Sequence, residues 1–186
     1  MIKQRVAVFA SGTGSNYEAI VQAKHLPCEI VLLVCDQPEA LVLEKAKVHD
    51  TPTFVFNAAH YEDRATYERQ IVEKLQALKV EWIFLAGYMR LIGSTLLDAY
   101  EGRIVNIHPS LLPNFPGLDA IGQALRAGVK ETGVTIHYVD AGMDTGPVIA
   151  QQAVPVSEDD TIDTLKSKIQ KIEHELYPKV IQELLT

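Results

Sequence analysis

Apolar runs of strand length alternate with amphipathic stretches of helical spacing along the whole chain, and this alternation constrains the fold more than any single motif. A strand, a helix and a second strand in succession build a parallel pair with the helix crossing over it. The repeated pattern therefore predicts an α/β domain with a mostly parallel sheet wrapped by helices. Strands are expected over 5–10, 29–35, 53–56, 82–86 and 105–108, then over 133–139 and 148–156. Helices near 16–25, 39–48, 61–78, 94–99, 120–127 and 161–184 lie between and after them. The last is the longest: Ile162, Leu165, Ile169, Ile172, Leu176, Val180 and Leu184 form an apolar stripe, and Pro178 should kink it. The 82–86 run is almost continuously apolar, which marks a strand central to the sheet.

With 186 residues, 47% of them hydrophobic, the chain suits one domain with a core that needs no staples. No run approaches the ~20 apolar residues of a membrane span, and Met1–Val6 passes into the first strand without a signal pattern, so a cytosolic protein is expected. A net charge of −7 argues against a general grip on nucleic-acid phosphates and favours small-molecule substrates. Cys28 and Cys35 flank one strand seven residues apart, so they should face opposite ways as reduced, buried fillers. No four ligands have metal spacing: His137 and His174 stand alone, and a zinc site is not indicated.

Three stretches carry chemistry. Ser11-Gly12-Thr13-Gly14-Ser15-Asn16 joins the first strand to the first helix, and small residues before a helix N-terminus let an anion approach free N–H groups. It reads as a phosphate cradle, with a plain tight turn as the alternative. A dinucleotide fingerprint would place a third glycine at position 17, which is Tyr, and Asp36 after the second strand does not restore that reading. Val105-Asn106-Ile107-His108-Pro109 sends Asn106 and His108 from the same face of a strand that Pro109 terminates. An amide can donate to an oxygen gaining negative charge and an imidazole can move a proton, which together suit acyl-group chemistry; a core His and a turn Asn are the alternative. In the hairpin-like loop Asp140-Ala141-Gly142-Met143-Asp144, the two carboxylates read either as turn chemistry or as a partner for His108. Met89 to Ile92, beyond the central strand, could wall a pocket for a flat apolar ligand or merely connect to the next helix. Arg64, Glu68, Glu73 and Lys74 read as the solvated face of the 61–78 helix, and Glu173 and His174 as surface residues unless the last helix crosses the pocket.

Together, Ser11–Asn16, Leu85–Arg90, Asn106–Pro113, Gly133–His137 and Asp144–Pro147 resemble the folate-dependent phosphoribosylglycinamide formyltransferase family of purine synthesis, over essentially the full chain. The Asn106–Pro113 run and the distal Asp mark formyl transfer in general; the glycine loop and Glu173–Pro178 narrow the likeness to the glycinamide enzymes. The resemblance implies a Rossmann-like formyltransferase fold in one domain over 1–186, its N-terminal half binding phosphate and its C-terminal half binding folate and holding the reaction centre. It implies transfer of formyl from 10-formyltetrahydrofolate, as co-substrate and without a metal, to the amine of phosphoribosylglycinamide by direct attack through a tetrahedral intermediate. Asn106 and His108 would stabilise the oxyanion, and Asp144 would orient His108 and favour its charged form. Gly14, Ser15 and Asn16 would hold the substrate phosphate and Glu173 its ribose. Met89, Arg90, Leu91, Ile92 and Asn106 would form the folate pocket, with Arg64 nearby.

The chain departs from the family at Asp119-Ala120-Ile121-Gly122, where other members have a His-rich stretch, and at Thr13, where Asn is frequent. The same residues would serve another formylfolate-using transferase or hydrolase. Readings of other classes are a non-catalytic folate- or nucleotide-binding module and a nicotinamide-dependent oxidoreductase, the latter weakened by Tyr17. The expected partners are small molecules, with neither nucleic acid nor membrane, and a homo-oligomer is left open.

Overall fold

A computed structural model describes residues 2–186 and contains one seven-stranded sheet among them. In chain order the strands are β1 (Gln4–Ala10), β2 (Cys28–Cys35), β3 (Thr53–Val55), β4 (Trp82–Leu85), β5 (Ile104–His108), β6 (Glu131–Tyr138) and β7 (Val148–Pro155). The helices are α1 (Ser15–Gln22), α2 (Val42–Val48), α3 (Arg64–Ala77), α4 (Ser94–Ala99), α5 (Ala120–Ala127) and α6 (Ile162–Leu185), with a short 3₁₀ turn at Ala58–His60. Across the sheet the order is β3-β2-β1-β4-β5-β6-β7. The first five strands are parallel, and β6 and β7 are antiparallel additions at one edge. The helices between the first five strands cross over to give parallel pairs, whereas the connection through α5 brings β6 back antiparallel to β5 and the tight 140–147 loop makes β6 and β7 a hairpin.

Two hydrophobic layers enclose the sheet, as the apolar runs of β1, β2 and β4 require of strands covered on both faces. One joins Val8, Leu33, Phe84 and Val105 to Tyr17, Ile20, Leu165, Ile169 and Tyr177 beneath α1 and α6. The other joins Phe9, Leu32, Ile83 and Ile104 to Tyr67, Ile71, Leu75 and Leu96 beneath α3 and α4. The Tyr177 hydroxyl is fully buried and lies 2.9 Å from the Leu85 carbonyl and 3.1 Å from that of Val105, so α6 is tied to the ends of β4 and β5.

Three expectations change. Cys28 and Cys35 share one core layer, because the β1–β2 register slips between Val6 and Ala7 and an extra residue near Val31 reverses the alternation. They remain free, at opposite ends of the strand. The first helix stops at Gln22, three residues short. The third begins at Arg64, where the Asp63 carboxylate caps the Thr66 N–H at 2.8 Å and leaves Tyr61 outside. Helix α6 continues through Pro178 to Leu185.

Candidate active site

Strand order reverses its direction of growth between β1 and β4, and the loops leaving those two strands must diverge there. The resulting cleft is a single cavity of about 690 Å³. Its walls come from the glycine loop after β1, the 86–92 segment after β4, the end of β5, the 140–144 loop and one face of α6.

At the phosphate end, Gly14 stands before α1 in the left-handed region, with φ 75°. A Cβ there would also overlap Val42, so a side chain is excluded on two grounds. No side chain caps α1, which leaves its first N–H groups directed at the cavity. Asn16 is buried, and its Nδ2 donates to Glu173 Oε2 at 3.3 Å. Glu173 is therefore no surface residue: α6 does cross the pocket. Burial pushes its carboxyl up to about 7, against the opposing pull of the Asn16 hydrogen bond and of Lys166. Asn16 Oδ1 is buried and finds no hydrogen bond within the protein.

At the other end, β5 delivers Asn106 and His108 from one face, as their spacing required. The His108 ring is buried between two acceptors: Nε2 donates to the Phe115 carbonyl at 2.8 Å, and Nδ1 lies 3.5 Å from Asp144 Oδ2. The carbonyl can only accept, so a proton sits on Nε2 and Nδ1 is the nitrogen that faces the carboxylate. Asp144 itself has φ 56° and receives the Gly117 N–H at 2.8 Å, so a sparsely populated backbone conformation and a cross-loop hydrogen bond together aim its carboxylate. Asp140 behaves differently, accepting from the Gly142 N–H at 2.9 Å and the Thr145 hydroxyl at 2.6 Å. The two carboxylates thus divide the two readings: Asp140 builds the loop and Asp144 faces the imidazole.

His137, considered above only as a stray metal ligand, joins this cluster. Antiparallel pairing sets it directly opposite Asn106. Its Nδ1 lies 2.8 Å from the Tyr138 carbonyl, which can only accept, so the proton sits on Nδ1 and Nε2 is left to accept from Asn106 Nδ2 at 3.3 Å. Burial holds this ring below the ordinary histidine range, outweighing the Tyr138 carbonyl and Asp144, and keeps it neutral. The signal for it in the sequence was the alternation through 133–139, which could not say which strand lay alongside.

Met89, Arg90, Leu91 and Ile92 do line the cavity. The Arg90 side chain turns to the edge, where Nε donates to Asp36 Oδ2 at 2.8 Å. Arg64 does not line the cavity; its Cδ lies beneath Gly93, 2.7 Å from where a Cβ would stand. Glu68, expected on a solvated face, is buried and accepts the Gly93 N–H at 3.0 Å. Of the divergent loop, Asp119, Ala120 and Ile121 reach the rim, where Asp119 pairs with Arg126 at 3.0 Å.

Residues 4–181 match the family described as formyl transferase. The chain is 56% identical over 185 residues to the phosphoribosylglycinamide formyltransferase of Bacillus subtilis (strain 168), covering 98% of this chain and 95% of that protein. A crystal structure of phosphoribosylglycinamide formyltransferase from Bacillus halodurans superposes with a TM-score of 0.96 at 57% identity, covering 98% of this chain and 96% of that one. The trifunctional purine biosynthetic protein adenosine-3 of Drosophila melanogaster is 40% identical over an alignment of 188 positions, covering 98% of this chain and 14% of that much longer protein. With a match along almost its full length and a relative sharing more than half of its residues, the chain belongs to the formyl transferase family.

Proposed function

We propose that the protein transfers the formyl group of 10-formyltetrahydrofolate to the amine of 5-phosphoribosylglycinamide, in the cytosol, as a step of purine biosynthesis. One observation carries the reading: an anion cradle and an amide–imidazole–carboxylate cluster open into the same cavity, with an apolar wall between strand ends beside them. A phosphorylated acceptor would rest its phosphate on the N–H groups at Gly14, Ser15 and Asn16. Glu173 and the unpartnered Asn16 Oδ1 would take its ribose hydroxyls. The flat ring system of the donor would lie against Met89, Leu91 and Ile92, its formyl group reaching Asn106.

The acceptor's amine attacks the formyl carbon, the carbonyl π pair moves onto oxygen, and a tetrahedral intermediate forms. Asn106 donates to that oxygen through the Nδ2 proton not engaged by His137. Neutral His137 thereby acts as a positioning residue, fixing which way the Asn106 amide points. His108, charged and held beside Asp144, adds positive charge next to the oxyanion. As the carbon–nitrogen bond to the donor breaks, the proton shed by the attacking amine passes by way of the His108–Asp144 pair to the departing folate nitrogen. No covalent enzyme intermediate is required.

The test is an absorbance assay with 10-formylfolate and phosphoribosylglycinamide, following deformylated folate. Release that depends on both compounds is expected. Release without the amine would make the protein a hydrolase, and no release with both would remove the reading.

A further inference from the structure

Asp36 ends up in a place its sequence context did not suggest. It follows β2, where an acid in many nucleotide-binding folds is free to take a ribose hydroxyl, yet it is 2% exposed and both its oxygens are engaged. Oδ1 accepts the Ser11 hydroxyl at 2.5 Å and Oδ2 accepts Arg90 Nε–H at 2.8 Å. Ser11 Oγ in turn accepts the Met89 N–H at 2.9 Å. The chain of contacts crosses three adjacent strand ends, since Asp36 follows β2, Ser11 follows β1, and Met89 and Arg90 lie beyond β4. Ser11 opens the glycine loop, and Met89 and Arg90 open the apolar wall.

At Met89 and Leu91 the wall has little packing of its own, whereas Ile92 at its far end is buried in the layer beneath α3 and α4. Met89 is 65% exposed and Leu91 46% exposed, so the hydrophobic core does not hold them. Charge-assisted hydrogen bonds to a buried carboxylate are among the stronger ones available for fixing a loop. Removing that carboxylate would leave Arg90 and the Ser11 hydroxyl without an acceptor. We propose that Asp36 is a positioning residue for the reaction, fastening the 89–92 wall to the glycine loop so that the folate donor binds in register with the phosphorylated acceptor. This rests on the formyl-transfer reading for the identity of the two ligands, though the fastening itself does not.

The experiment uses the full chain with Asp36→Ala, Asp36→Asn and Arg90→Ala. For Asp36→Ala we expect the KM for 10-formylfolate to rise roughly tenfold, with kcat within about twofold and the KM for phosphoribosylglycinamide within about threefold. Amide hydrogen exchange across 87–92 in the ligand-free variant should be about tenfold faster than in the parent. Asp36→Asn, which keeps one acceptor, should recover part of both effects. Combining Asp36→Ala with Arg90→Ala should speed exchange across 87–92 no further than Asp36→Ala alone, because both cut the same link. Unchanged exchange over 87–92 would overturn the proposal, as would equal rises in both KM values accompanied by a general loss of stability. Should Asp36→Ala fail to fold, Arg90→Ala and Ser11→Ala each cut one arm and are read by exchange across 87–92 without ligand. A parent without turnover would remove the formyl-transfer reading, while the exchange measurement would still decide the role of Asp36.

Discussion

The two ends of the cavity are built by different means. At the glycine loop, on the proposed reading, uncapped main-chain N–H groups would receive the phosphate, and the residues there are small so that the backbone can come close. At the antiparallel edge, side chains do the work: Asn106 and His108 from β5, His137 from β6 and Asp144 from the loop leading to β7. A finished phosphate carries its charge before and after the reaction, so fixed dipoles at a helix end suffice. An oxyanion that exists only in passing calls for donors aimed at one point, together with a group able to move a proton. Parallel strand–helix units supply the first arrangement. Antiparallel pairing supplies the second, because it sets residues of two strands face to face at one level of the sheet.

The comparison is most exposed to a change at His108. His108→Ala should lower kcat by about a thousandfold and leave the KM for phosphoribosylglycinamide within about threefold. A large KM change in steady-state assays would mean that the two ends are not separate. Gly14→Ala should show the opposite split, raising that KM by at least about tenfold with a smaller loss in kcat, and should cost about 1–3 kcal/mol in denaturant unfolding. A variant with unchanged KM would remove the backbone cradle from the account.

Glu173 sharpens the contrast through pH. Its carboxyl, raised to about 7, keeps its proton in the folded protein after the unfolded chain has lost its own near 4.5. Stability present below pH 4.5 is therefore lost as pH climbs towards 7, by about 3 kcal/mol at most. Glu173→Gln, which cannot ionise, should melt higher than the parent at pH 8 and close to it near pH 4.5; melting curves that run parallel across that window would contradict the burial argument. The smallest effect belongs to Tyr177→Phe. Loss of its hydroxyl, shared by the β4 and β5 carbonyls, should cost about 1 kcal/mol and lower Tm by a few degrees with little change in KM for either substrate.

Much of this molecule could be read along the chain. Periodicity located every strand of the sheet, and the two-residue step from Asn106 to His108 was enough to put both side chains on one face. Relations between elements were not legible in the same way. The bulge near Val31 turned Cys28 and Cys35 to the same side, and Glu68 left its expected surface for the Gly93 N–H. Arg64 stands beside Gly93, next to the 89–92 wall and not in the cavity lining itself. His137 and Asp36 gained partners 31 and 54 positions away, distances over which no local pattern extends.

Sequence alone determined the α/β class, the glycine loop and the proline-ended strand, because each follows from backbone preferences acting over a few neighbours. Only the tertiary structure decided that Glu173 meets Asn16, that Asp140 turns back to its own loop, and that His137 stands opposite Asn106. The physical reason is that strand order and register are set by burying the whole apolar surface at once, and a polar side chain learns its partner only when that global packing is complete.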